Sequence, residues 1–253
     1  MTKLRLPASY LLALLSVVCG WVALPYACTV QWGLKLSNPM VYFALNAVQQ
    51  VLIFAVPALL ILTARVERKA RFFSTCRRLR MDTIGAIALL AVSGTVVMAL
   101  VASLWSEFLR RLWGYVGEAT SLPRAEGLWQ QLLALASIAL VPALSEELLF
   151  RALLQGTVLH RWPRAGLWIT AVIFAVLHFR PDVFPALLLC ALALGWMYRK
   201  YGFWSGVLLH GLYNGVVQLL SGVEVGSVMV LICCLVCWLS LWMLRRGEPT
   251  SCV

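Results

Sequence analysis

Leu140-Val141-Pro142-Ala143-Leu144-Ser145-Glu146-Glu147-Leu148-Leu149-Phe150-Arg151 is the stretch whose reading decides the fold. It lies inside an apolar run from about Leu128 to Leu159, long enough for a membrane-spanning helix. A charged side chain at mid-bilayer costs about 2.5–3.5 kcal/mol on insertion scales. Glu146, Glu147 and Arg151 therefore need partners or a task. Intramembrane ionisable groups face a bundle interior or a wet cavity and mark function by default. Pro142 stands four residues before Glu146, where its missing backbone donor invites a kink that would help admit water.

The surrounding chain has the same character. Its 253 residues are 62% hydrophobic and only 12% charged, and the mean hydropathy is +0.88. These values predict an all-α, polytopic transmembrane helical bundle, a single domain over 1–253. About eight spans are expected, near 8–27, 40–63, 83–105, 128–159, 165–179, 183–198, 203–220 and 226–244. Residues 106–127 mix balanced charges with Phe108, Leu109, Leu112, Trp113 and Val116, and this spacing predicts a separate amphipathic helix on the outer interface. The net charge of +11 does not point to nucleic acid, because the basic residues punctuate the apolar runs. Arg65, Arg68, Lys69, Arg71, Arg77, Arg78 and Arg80 gather in one loop, with Arg161/Arg164, Arg199/Lys200 and Arg245/Arg246 in others on the same side. The positive-inside rule then places both termini in the cytoplasm. Anionic-lipid contact is the functional alternative for the Arg65–Arg80 loop. Cys234-Leu235-Val236-Cys237 has the spacing of a metal or redox pair, but no second pair of ligands accompanies it.

The polar residues inside the spans carry the chemistry. Glu147 and Arg151 are four apart on one helix face, so they suit a structural ion pair and leave Glu146, about 100° round, to face a cavity. His178 closes Phe174-Ala175-Val176-Leu177-His178 in the next span. His210 and Asn214 share a face of a third, and two converging donors are what an oxyanion needs. A carboxylate beside an imidazole can hold a water and take its proton.

Glu146-Glu147-x-x-x-Arg151, Phe174-x-x-x-His178 and His210-x-x-x-Asn214, in that order, resemble the CPBP intramembrane proteases. This is the family of CAAX prenyl endopeptidases and of bacteriocin-processing and self-immunity proteins, also called ABI. The resemblance covers about 128–221, the expected catalytic core. It implies a peptide-bond hydrolase in the membrane with Glu146 as general base and His178 holding or polarising the water. His210 and Asn214 would form the oxyanion hole, Glu147 and Arg151 would shape the site, and Phe174 would support it. No cofactor is expected. The chain lacks a His-Glu-x-x-His zinc helix, but zinc stays open, with Glu146, His178 and His210 as its ligands if it is present.

The expected substrate is a membrane-embedded or lipid-anchored protein or peptide, cut near its terminus or tail, and the expected location is a bacterial-type inner membrane. A non-catalytic alternative is an immunity factor or proton-coupled transporter that uses the buried Glu and His for binding or proton relay. No paired halves of the transporter kind are visible in the sequence.

Overall fold

The computed structural model describes residues 15, 19, 20, 23, 36–64, 66–117, 123–158, 162–220, 223 and 225–248. Among them there is helix and no strand. The expected first span, 8–27, lies outside the described residues apart from Leu15, Cys19, Gly20 and Ala23, which are helical. The chain divides into two compact units, one of Met1–Phe73 with Leu122–Pro163, the other of Ser74–Ser121 with Arg164–Val253.

Two long helices make the described part of the first unit. Helix α1 runs through Pro39–Gln50, Val51–Ala55 and Val56–Thr63. Its start is set by Asn38, whose Oδ1 accepts from the Met40 and Val41 amides at 2.9 and 3.4 Å, and by Pro39 in the first turn. Helix α2, Val66–Thr75, follows and is taken up below. Helix α4 runs through Leu128–Leu135, Ala136–Leu140, Val141–Glu147 and Leu148–Val158.

Both α1 and α4 meet a proline in the same way. Pro57 and Pro142 each follow a valine and lack the amide of a normal helical turn. Each is preceded by a π turn, Val51–Ala55 in one case and Ala136–Leu140 in the other. The Val56 amide donates to Val51 O and the Val141 amide to Ala136 O, five residues back. The wider turn relieves the crowding a proline ring imposes on the carbonyl four residues earlier. The two helices pack in parallel: Pro39–Gln50 lies along Leu128–Leu135, and Val56–Thr63 along Leu148–Val158. Asn46 Nδ2 donates to Ser137 O and Oγ at 3.0 and 2.9 Å, and the Phe54 and Phe150 rings stand 6.1 Å apart.

The second unit is built on α3, Met81–Trp113, which packs against α6 (Phe184–Tyr201), α7 (Phe203–Leu219) and α8 (Ser227–Arg246). Its core includes Ile87, Ala91, Leu194, Met197, Leu209 and Leu244. At one end, Tyr201 Oη and Lys200 Nζ donate to Leu244 O at 2.5 and 2.7 Å, satisfying a carbonyl that the end of α8 leaves open. Gly202 links α6 to α7 at φ +90°, and a Cβ there would run into the Thr75 carbonyl oxygen.

Helix α3 corrects one expectation. Residues 106–113 continue it and do not form a separate interfacial helix, while 114–117 and 123–126 are not helical. Nothing between Trp105 and Trp113 breaks a helix, and Glu107 pairs with Arg110 and Arg111 at 2.7 and 2.6 Å, on the next turn. The stop is Gly114, left-handed at φ +65°, whose amide donates to Arg110 O at 2.9 Å.

Among the described residues five helices are long and apolar enough to cross a membrane: Pro39–Thr63, Met81–Trp113, Leu128–Thr157, Pro181–Tyr201 and Ser227–Arg246. Pro163–Val176, helix α5, is apolar but shorter, and α7 has 17 residues.

Candidate active site

In the first unit the polar stretch of α4 is turned inward. Glu146 is 6% exposed and Ser145, Glu147 and Arg151 are buried as well, so none of them is offered to lipid. Arg151 Nε lies 3.2 Å from Glu147 Oε2, across the junction where the α-helical turn of Val141–Glu147 passes into the π-helical Leu148–Val158. The guanidinium carbon is 5.9 Å from the centroid of the Phe150 ring. The pair offsets two charges against each other in a place where either alone would be very costly. Glu146 is not the carboxylate in that contact.

In the second unit α5 ends at Val176, and Leu177, His178 and Phe179 form a turn. The Phe179 amide donates to Val176 O at 3.0 Å, and Phe179 itself takes the left-handed conformation at φ +52°. This turn swings the His178 ring back over the helix end, where Nδ1–H donates to Phe174 O at 2.7 Å. A carbonyl oxygen can only accept, so Nδ1 carries the proton and Nε2 of the neutral ring keeps its lone pair. The His178 ring stands 4.5 Å from the Phe174 ring, and the His210 ring of α7 meets the same phenyl edge-on at 5.8 Å. Phe174 thus gathers two imidazoles, one from the turn after α5 and one from α7.

One turn along α7 from His210, Asn214 lines a cavity of about 780 Å³ inside this unit. His178 and Tyr213 are on its wall too, and α3 contributes Thr95, Ala99, Ala102 and Ser103. The Thr95 and Ser103 hydroxyls are used up on the carbonyls of Ala91 and Leu100 in their own helix, at 2.8 and 3.0 Å. The wall is therefore mainly aliphatic, with His178, Tyr213 and Asn214 as its other polar residues. His210 does not line it.

The turn that carries His178 is fastened to α3. Trp105 Nε1–H donates to Pro181 O and Ser106 Oγ–H to Asp182 O, both at 2.8 Å. Arg180 closes on Asp182 through Nε and Nη2, at 2.9 and 2.6 Å. Gly117 comes so close that a Cβ would lie 2.6 Å from Asp182 Oδ2. Sequence reasoning missed these anchors and Tyr213. The one available signal was the small-residue stripe Thr95, Ala99, Ala102 and Ser103, which leaves room beside α3.

The structure thus brings Glu147 to Arg151 in one unit, and Phe174, His178 and His210 together in the other, with Asn214 and His178 sharing a cavity wall. Among the described residues no three His, Cys, Asp or Glu side chains are grouped closely enough to hold a metal ion. The six described cysteines, Cys234 and Cys237 included, are free thiols.

Residues 128–216 match the family model for type II CAAX prenyl endopeptidase, Rce1-like. Over this stretch, about a third of the chain, the protein is similar to that family. The matched stretch contains every one of the residues singled out above for chemistry, from Glu146 to Asn214. No curated protein and no solved structure matches the chain. With its several apolar helices, the chain is a multi-pass membrane protein.

Proposed function

We propose that the chain is an intramembrane endopeptidase that cuts near the terminus or tail of a membrane-embedded or lipid-anchored protein, with Glu146 as its general base. The observation that carries this reading is the largely aliphatic cavity of about 780 Å³ with His178 and Asn214, two residues of the family match, on its wall. Such a wall suits an apolar peptide segment, and the two polar side chains suit the scissile carbonyl. The basic loops and the few residues between the spans fit a bacterial-type inner membrane.

In this reading Glu146 takes a proton from a water that His178 orients through Nε2. The water oxygen attacks the carbonyl carbon, and the oxygen that becomes negative accepts a hydrogen bond from Asn214 on the cavity wall; His210, off that wall, would have to turn toward it to act as the second donor. The C–N bond then breaks, and the proton on Glu146 passes to the leaving amine. Glu147 and Arg151 keep the helix that bears the base in place. Arg151 and Glu147 form an ion pair, and Glu146 takes the base role in this reading. No metal enters these steps.

The test uses full-length protein in lipid bilayers with a panel of labelled hydrophobic tail peptides. Glu146→Gln and His178→Ala should each lower kcat about 100-fold or more, as loss of a general base does. 1,10-Phenanthroline should leave the wild-type rate unchanged. Full activity in Glu146→Gln would refute the mechanism. Inactivation by the chelator, restored by zinc, would replace it with a metal-dependent one.

A further inference from the structure

The segment between α1 and α3 must lie at a membrane face, because both helices are long and apolar enough to span. Its folded part is α2, Val66–Thr75, in which no residue is buried. Val66, Ala70 and Phe73 recur at i, i+4 and i+7, so they share one side of the helix. That side is open: Val66 is 85% exposed and Phe73 57%. Lys69 flanks the stripe and is exposed, Arg71 is exposed farther round, and Glu67 is the one acidic residue of the helix. Arg68 Nη1 donates to Ile61 O at 3.3 Å, which ties the start of α2 to the last turn of α1.

Topology alone would explain the positive charge of such a linker. It does not explain why the charge sits on a helix with an uncovered apolar stripe. A short helix with basic residues beside an exposed aliphatic and aromatic edge has the form of an element that lies in the headgroup layer. We infer that α2 is an interfacial helix that binds the anionic headgroups of the surrounding bilayer. Val66, Ala70 and Phe73 enter the acyl boundary, and Lys69 and Arg71 meet lipid phosphates. This does not rest on the peptidase reading.

Amide hydrogen exchange over 66–75 tests it, on the full chain in nanodiscs of phosphatidylcholine alone or mixed with phosphatidylglycerol. A basic side chain near an anionic surface contributes roughly five-fold, so exchange should slow by at least that factor in the anionic discs. Lys69→Gln with Arg71→Gln should abolish the difference between the two lipids. Val66→Ser with Phe73→Ser should speed exchange in both. Since α2 buries nothing, all variants should keep the protection of α3, measured in the same experiment. Equal exchange of the wild type in the two lipids would overturn the inference and leave the charges a topological role. Protection that followed the number of protein copies per disc would overturn it too, by assigning the stripe to a second chain.

Discussion

Arg151 is fully buried, and its ion pair with Glu147 sets the balance of the polar stretch in α4. Breaking a buried pair strands the remaining charge, at a cost of about 3–5 kcal/mol. Arg151→Met should therefore destabilise the protein by about that much in a reversible denaturation assay, whereas Arg151→Met with Glu147→Leu should recover most of the loss. Equal instability of the single and double variants would show that the pair does not act as a unit. This contact could be read from spacing alone, because four residues on a helix bring a carboxylate and a guanidinium together. The state of His178 could not. It depends on α5 stopping at Val176 and on Phe179 adopting a positive φ, which returns Nδ1 to the Phe174 carbonyl. No periodicity in the sequence marks that turn.

At the scale of elements, the anchors on the turn after His178 give a direct forecast. Trp105→Phe keeps an aromatic ring but removes the N–H donor to Pro181 O together with part of the indole's packing, so it should cost about 1 kcal/mol or more and speed exchange of the Asp182 and Val183 amides. A pattern unchanged at those amides would mean that the bond does not hold the turn. Gly202→Ala should be harsher, at about 3 kcal/mol or more, because it adds a Cβ at φ +90° against the Thr75 carbonyl oxygen. Helix positions were legible because apolar runs of this length have few other uses. The end of α3 was misread at Trp105 because charges begin there. Those charges extend the helix, since Glu107 reaches Arg110 and Arg111 on the next turn, and Gly114 is what ends it. The π turns were half legible: Pro142 announced an irregularity without giving its form.

For the whole molecule, the basic loops forecast sidedness. Single cysteines introduced at Lys69 and Glu248, in a cysteine-free background, should react with an impermeant maleimide from the same side of the membrane. One at Tyr115 should react from the other, because α3, at 33 residues and about 50 Å, is long enough for one full crossing. Labelling of 69 and 115 from one side would refute the arrangement. The cavity beside His178 and Asn214 was not visible in the sequence at all. It is a space left by side chains of several helices, and its walls are ordinary alanines, valines and leucines that look like any lipid-facing residues until the packing is known.

The π turn ahead of Pro142 makes α4 sensitive to the number of residues as well as to their kind. Such a turn holds one residue more than an α-helix has between the same two levels. Forcing the same residues of Ala136–Leu140 into regular α-helical winding would rotate everything upstream by about 100° relative to Glu146, whereas deleting one of them would leave both flanks in phase. In the first case the Glu146 carboxylate would keep its neighbours downstream, while the surface that grips α1 through Asn46 and Ser137 would turn away from it. Helical phase along α4 is thus held by a single supernumerary residue, and the way that residue is wound sets the angle at which Glu146 is presented.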